Sequence, residues 1–215
     1  MIRAGSYAGR APAFAPAALL RTFGCDTLPH AFDNAPHSWA WFREPQITAG
    51  IAHFLQAGPA CSRIERVRAF LAAAYECAGA AGLARRIEEA DISSAEAVAE
   101  ESRVDLIVQA STTKHEHLGL VVEAKFGHHL TPRQLPAARR HAAGRGLRAD
   151  NAAFLVVLPH RANAGTHILP RPANSNWRAV SWWALLTALE RRLKPDVDGE
   201  TFRSLRHTIW QQTYG

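Results

Sequence analysis

The sequence predicts an α/β domain in which a mixed central sheet is flanked by helices. Apolar residues first recur at helical spacing, two short β-branched runs then flank a polar loop, and a capped helix precedes a continuous apolar strand. Together with a strand expected in residues 84–101, the core order is helix, three strands, helix and strand (α-β-β-β-α-β), with extra C-terminal helices. A strand, a helix and a strand in succession form a right-handed parallel crossover, which makes the sheet mixed.

The first helix is expected to begin at Glu44. Pro45 suits a first helical position, and apolar residues recur at helical spacing from Ile47 until Gly58. Glu44 precedes Ile47 by three residues and so lies on the inward face, where a carboxylate is unusual. Either this acid has a function there, or it complements the positive end of the helix dipole.

The next segment contains the best-marked helix of the chain. Ser62 and Glu65 form a capping box, an apolar stripe follows, and Gly79 ends the helix. The pattern over residues 84–101 is ambiguous, because its isoleucines suggest a strand while its last residues would also form a helical turn. We expect a strand in the first part of this segment.

Two apolar runs, residues 103–110 and 118–125, predict a hairpin whose loop is centred on Lys114. The partners in that register are Asp105 with Glu123, Ile107 with Val121, and Gln109 with Gly119. Two carboxylates on facing positions destabilise a sheet, so this pairing requires a compensating cation. Lys125 lies on the same face of its strand as the acid two residues before it.

The elements after the hairpin have clear boundaries. Thr131, Pro132 and Gln134 supply an N-cap, a first position and a capping-box glutamine for a helix. The continuous apolar run over residues 152–158 predicts a buried strand. The remaining expected elements are a strand over Trp177–Ser181 and helices from Trp182 and from Phe202.

Composition narrows the class of protein. Of 215 residues, 47% are hydrophobic and 20% are charged, which is typical of a folded globular domain. The three cysteines fit neither a redox pair nor a zinc knuckle, and the longest apolar run is far shorter than the roughly 20 residues that span a bilayer. We expect a cytoplasmic protein with no membrane partner, in which residues 1–40 form an N-terminal extension and residues 41–215 form one domain.

The basic charge is confined to the second part of the chain. Residues 1–126 contain 12 basic and 14 acidic side chains, net −2, whereas residues 127–215 contain 13 and 5, net +8. This asymmetry favours an anionic partner, with nucleic acid as the first candidate. The alternative is a compositional bias, because 22 of the 25 cations are arginines. The expected nucleic-acid-binding residues are Arg139, Arg140, Arg145 and Arg148.

The sequence resembles the PD-(D/E)XK nuclease superfamily, which has a restriction-endonuclease-like fold. The resemblance lies in an acid on the first helix, an Asp that opens the hairpin and a Glu-x-Lys that closes it. The matching segments are EPQIT at 44–48, RVDLI at 103–107, VVEAK at 121–125, QL at 134–135 and SWWALL at 181–186. The resemblance covers about residues 41–193. The Pro that names the motif is replaced by Val104.

The resemblance implies a nuclease that hydrolyses phosphodiesters of nucleic acid, with DNA as the expected substrate and Mg²⁺ or Mn²⁺ as the cofactor. Asp105 and Glu123 would hold the ion, with the Ala124 carbonyl as a further ligand. The ion would also relieve the repulsion between the two carboxylates. Lys125 would stabilise the attacking hydroxide and then the charge on the phosphate.

Two further roles come from the resemblance alone. Glu44 would assist the metal or its water shell, and Gln134 would orient Lys125 or the scissile phosphate. Capping also explains Gln134 without catalysis, and the hairpin acids with their lysine would also form a structural salt bridge.

Other functions remain open. Histidines at 115, 117, 128 and 129 would suit a zinc site, although the sequence contains no H-E-x-x-H motif and no cysteine pair. The same fold would also serve as a nucleic-acid or protein binding module that does not cleave. A homodimer or larger assembly would use the Trp-rich segment at 39–42 as its contact surface.

Overall fold

The computed structural model describes residues 44–101, 104–126, 130–131, 133–159 and 174–214. The helices in these ranges are α1 (Glu44–Gln56), α2 (Ala60–Ala78), α3 (Ala81–Glu89), α4 (Gln134–Gly144), α5 (Trp182–Glu190) and α6 (Pro195–Tyr214). The strands are β1 (Ile92–Glu101), β2 (Val104–Thr112), β3 (His117–Ala124), β4 (Ala152–Leu158) and β5 (Trp177–Ser181). The expected N-terminal extension, with its Trp-rich segment, lies outside the described residues.

The five strands form one mixed sheet in the order β1-β2-β3-β4-β5. β1 with β2 and β2 with β3 pair antiparallel, whereas β3 with β4 and β4 with β5 pair parallel. α4 connects the parallel neighbours β3 and β4, as the crossover requires. The predicted fold class is confirmed: a mixed sheet flanked by helices, consistent with a restriction-endonuclease-like fold.

A separate apolar core covers each face of the sheet, because alternate residues of a strand point to opposite faces. One core includes α1, α2 and α5 and contains the fully buried Phe54, Tyr75 and Trp182. The other core includes α4, whose Leu135 is also fully buried. Every residue of β4 is buried, which explains why the apolar run of this strand is continuous rather than alternating.

The strand expected in the first part of residues 84–101 is wrong. That part belongs to the helix α3, and the strand β1 comes after it. Ile87 of α3 is fully buried, and Arg68 of α2 donates hydrogen bonds to the carbonyls of Ile87 and Ala90 at 2.9 and 2.8 Å. This arginine satisfies the carbonyl end of α3 from a distant part of the sequence, so no local pattern marks the end of the helix.

α2 begins earlier than its predicted capping box. The helix starts at Ala60, and the preceding Pro59 has extended backbone angles and no side-chain cap. Ser62 therefore lies inside the helix, and Glu65 forms an ion pair with a lysine that follows α5. The predicted end is confirmed, because Gly79 has a φ of 69°, a left-handed conformation that suits glycine.

The remaining elements agree with the predictions except at two boundaries. α4 begins at Gln134 with Arg133 as its N-cap, so the predicted cap by Thr131 is wrong, and Pro132 lies outside the described residues. α6 begins before the predicted Phe202 and extends over Pro195–Tyr214. Among the described residues, no helix is both long enough and apolar enough to cross a membrane.

Candidate active site

The β2–β3 hairpin brings the two predicted carboxylates to neighbouring strands. The observed partners include Ile107 with Val121 and Gln109 with Gly119, as predicted. Continuing the same register places Asp105 opposite Glu123 at the end of the hairpin. Residues that face each other in this way share one side of the sheet, with Cβ atoms about 5 Å apart.

Lys125 contacts both carboxylates. Its Nζ lies 2.8 Å from Glu123 Oε1 and 3.8 Å from Asp105 Oδ2. Asp105 Oδ2 also accepts a hydrogen bond of 2.7 Å from the backbone N–H of Ala124. The lysine therefore supplies the compensating cation that the facing acids require, and the backbone of β3 fixes the orientation of the Asp105 carboxylate.

The three charged groups are largely withdrawn from solvent. The exposed fraction of the side chain is 0% for Glu123, 6% for Lys125 and 17% for Asp105. Burial, and then the negative charge of Glu123, raises the pKa of Asp105 to about 7, although Lys125 and the Ala124 N–H lower it. A buried carboxyl that titrates near neutral pH beside charged partners is typical of functional sites.

Gln134 connects the start of α4 to this cluster. Its Nε2 donates a hydrogen bond of 2.7 Å to Glu123 Oε1, the oxygen that also contacts Lys125. Its Oε1 accepts a hydrogen bond of 2.7 Å from the backbone N–H of Thr131. The amide thus bonds the backbone before α4, although Thr131 is not the N-cap of this helix, and contacts the acid at the same time.

Glu44 is the first residue of α1, and its side chain lies outside the described part of the structure. The four arginines expected to bind nucleic acid have different surroundings. Arg139 and Arg140 are exposed on α4, and Arg148 is exposed in the turn that follows. Arg145 is half-buried and forms ion pairs with acids of β1, which engage its guanidinium within the protein.

The histidines do not converge on the carboxylates within the described residues. His115 and His117 lie in or beside the β2–β3 loop, at the end of the hairpin away from Asp105. The ring of His117 contacts the hydroxyl of Ser111 at 3.1 Å. The histidines at 128 and 129 lie outside the described residues.

Sequence reasoning missed two polar residues near the site, Thr48 of α1 and Glu100 of β1. The hydroxyl of Thr48 lies 2.8 Å from Glu100 Oε1, and the charge of Glu100 contributes to the raised pKa of Asp105 after burial and Glu123. The signal for Glu100 was the register of the β1–β2 hairpin. That register was not predicted, because the last residues of the 84–101 segment were left ambiguous between a strand and a helical turn.

The donor atoms at this edge of the sheet suit a hard divalent ion. Mg²⁺ and Mn²⁺ prefer oxygen ligands and usually take one or two carboxylates, with water and substrate oxygens at the other positions. Asp105 and Glu123 supply two carboxylates on one face, and the carbonyl of Ala124 follows directly. In the part of the chain that the structure describes, no three His, Cys, Asp or Glu side chains form a metal-binding group. The two carboxylates and the backbone carbonyl therefore fit a hard divalent ion.

Comparison with known proteins adds one similarity. No protein-family model matches the chain, and no curated protein matches it. The solved structure of the MspJI restriction endonuclease in complex with a 27-mer oligonucleotide is similar over 66% of this chain, at 15% identity and a TM-score of 0.33. This chain covers 32% of the MspJI chain. Because the TM-score is low, the assignment of the fold depends on the element order and the sheet topology described above.

Proposed function

We propose that this protein hydrolyses phosphodiester bonds of nucleic acid, with DNA as the substrate and Mg²⁺ or Mn²⁺ as the cofactor. The observation that carries the proposal is the grouping of Asp105, Glu123 and Lys125 at one end of the β2–β3 hairpin. Buried ion pairs add little to stability compared with well-packed apolar residues, so a role in folding accounts poorly for this cluster. The grouping also has the composition expected from the resemblance to PD-(D/E)XK nucleases.

The chemistry assigns a distinct task to each residue. Asp105 and Glu123 would hold the ion, with the Ala124 carbonyl beside them. A bound divalent ion would neutralise the phosphoryl oxygens and make a water molecule nucleophilic near neutral pH. Lys125, held by Glu123, would stabilise the negative charge that develops on the phosphate. Because this lysine is nearly buried, water screens its charge only weakly.

Gln134 and Glu44 support these residues in the proposal. The hydrogen bond from Gln134 to Glu123 fixes the carboxylate oxygen that contacts Lys125, so the amide orients both charged groups. Glu44 would assist the metal or its water shell from the first position of α1.

The proposed path for the substrate follows α4. Arg139 and Arg140 lie about 8 Å along the helix axis from Gln134, which contacts the buried acid of the site. Exposed arginines at this spacing would bind backbone phosphates and lead the strand towards the carboxylates. Arg148 would extend the same surface. Arg145 would contribute less, because its guanidinium is engaged by acids of β1.

A cleavage assay with two lysine variants tests the proposal. DNA is incubated with Mg²⁺ or Mn²⁺ and with wild type, Lys125→Ala or Lys114→Ala, the last being an exposed lysine of the β2–β3 loop. We expect a rate about 100-fold lower for Lys125→Ala, wild-type cleavage for Lys114→Ala, and none in the presence of a chelator. Equal cleavage by Lys125→Ala and wild type would contradict the role of this lysine.

A second candidate function is a binding module that does not cleave. The observation that favours it is the net charge of +8 over residues 127–215, which would bind nucleic acid whether or not the site is active. A module of this kind would bind DNA with an affinity that falls steeply with salt, take up no metal in calorimetric titration and yield no product. Metal uptake together with cleavage would exclude it.

A further inference from the structure

Lys125 lies directly after the last residue of β3, and its backbone is held by two contacts. Its own N–H donates a hydrogen bond of 2.9 Å to the carbonyl oxygen of Val157 in β4. The next residue, Phe126, stacks its ring on the indole of Trp182, with ring centroids 5.0 Å apart and ring planes 17° from parallel. The lysine is thus fixed at its N–H and at the side chain that follows it.

The stack and the lysine side chain lie on opposite faces of the sheet. Alternate residues of a strand point to opposite faces, and Lys125 contacts Glu123 on the face covered by α4. Phe126 packs against the core of the other face, which also contains Ala124. An effect of Phe126 on the site is therefore transmitted through the backbone that it shares with Lys125.

Trp182 is a fixed support for the ring of Phe126. It is the first residue of α5, and its side chain is fully buried. Ser181, the last residue of β5, caps this helix, because its hydroxyl oxygen accepts a hydrogen bond of 3.1 Å from the N–H of Ala184. The position of the indole is therefore set by β5 and α5 and not by β3.

The proposed chemistry depends on where the Lys125 ammonium lies. Lysine carries its charge on a flexible stem of four carbons, so a shift of the backbone changes the contact of 2.8 Å with Glu123. A displacement of about 1 Å at a reacting centre can lower a rate by about 100-fold. The loss of one aromatic pair changes a local opening equilibrium by up to about 10-fold.

We propose that the stack of Phe126 on Trp182 positions the Lys125 ammonium, which makes Phe126 a positioning residue for phosphodiester hydrolysis. The inference rests on the proposed function, in which this lysine stabilises charge on the phosphate. Phe126 acts through the lysine and does not contact the reacting atoms. A packing role alone would lower the stability of the whole domain, whereas a positioning role changes the reactivity of one lysine.

Acetylation of the metal-free protein with an N-hydroxysuccinimide ester tests the position of Lys125 without cleavage. Of the three lysines in the chain, Lys114 and Lys194 are exposed and serve as internal references, whereas the Lys125 side chain is 6% exposed. Mass spectrometry gives the rate at each lysine. Phe126→Leu keeps an apolar side chain but removes the ring, and should raise the rate at Lys125 alone by about 10-fold. Phe126→Tyr keeps the ring and should react as wild type does.

Phe202→Leu is the matched control. It removes a ring from a different aromatic pair, Phe54 of α1 with Phe202 of α6, whose centroids are 5.8 Å apart. Its rate at Lys125 should equal that of wild type. No increase in Phe126→Leu, or an equal increase in Phe202→Leu, would overturn the positioning role. Phe126→Met also lacks a ring and replaces Phe126→Leu if circular dichroism shows that the leucine variant does not fold.

Cleavage kinetics test whether this position matters for the reaction. We expect Phe126→Leu to lower kcat by about 10-fold with a KM close to that of wild type, because the ring acts only through the lysine. In a Lys125→Ala background the same substitution should have no further effect, since the group that it positions is already absent. Multiplicative losses in the double variant would overturn the inference and leave the role of Lys125 intact. Wild type that cleaves no DNA would overturn the proposed function, and acetylation would still decide whether the stack holds Lys125.

Discussion

Replacement of Asp105 by Asn should make the metal-free protein more stable above neutral pH. Burial, and then the charge of Glu123, raises the pKa of Asp105 from 3.8 to about 7. Because its pKa is raised on folding, the folded protein binds this proton more tightly than the unfolded chain does. The stability contributed by the proton is therefore complete below about pH 4 and is lost as the pH rises to about 7.

The difference between the two pKa values gives the size of this effect. The difference between the ordinary pKa of 3.8 and the pKa of about 7 in the folded protein corresponds to about 4 kcal/mol of unfolding free energy between acidic pH and pH 8. Asn has nearly the same shape as Asp, is neutral at every pH, and its oxygen can still accept the hydrogen bond from the Ala124 N–H. We therefore expect Asp105→Asn to be more stable than wild type by up to about 4 kcal/mol at pH 8, and similar near pH 4.

Urea denaturation in the presence of a chelator measures this difference at pH 4, 6 and 8. Asp91→Asn serves as the control, because this exposed aspartate precedes β1 and its substitution removes the same charge. Addition of Mn²⁺ at pH 8 should then stabilise wild type and leave Asp105→Asn unchanged. An Asp105→Asn protein no more stable than wild type at pH 8 would refute the argument that the buried acids oppose folding.

Three further outcomes follow from the same geometry. Mn²⁺ affinity should fall towards about 10-fold per pH unit well below pH 7, because Asp105 must lose its proton to bind the ion; calorimetry at pH 5 and 6 measures this. Gln134→Leu should lower the cleavage rate by about 10-fold or more while the fold is retained, because Glu123 loses an orienting hydrogen bond. Gly119→Ala should lower the unfolding free energy by about 1–3 kcal/mol in urea, since its added Cβ would lie 2.5 Å from a methyl group of Leu147.

The central part of the site was predictable because it depends on one hairpin. The polar loop around Lys114 separates two apolar runs, so its centre sets the register, and the register sets which residues face each other. Asp105 and Glu123 follow from that register, and Lys125 follows from the alternation of side chains along the strand. These inferences require only the pairing of two neighbouring strands, which the sequence pattern indicates directly.

The contacts that sequence reasoning missed connect residues far apart in the chain. Arg68 caps the end of α3 from the preceding helix, so a segment without a local stop signal still ends at a defined residue. Thr48 and Glu100 are 52 positions apart, and their contact depends on how α1 packs against β1. The capping role of Gln134 was predicted from its position and its site role from the resemblance, but its bond to Glu123 depends on where the crossover places α4 over the sheet.

The shared hairpin of the two acids determines where the chain tolerates length changes. One residue inserted within β2 or β3 would turn every side chain beyond it to the opposite face, and would separate the acids. An insertion in the loop around Lys114 leaves the residues of both strands in sequence, so the buried apolar pairs of the hairpin can keep their register and the acids their spacing. A short peptide tag is therefore better placed in this loop than within either strand.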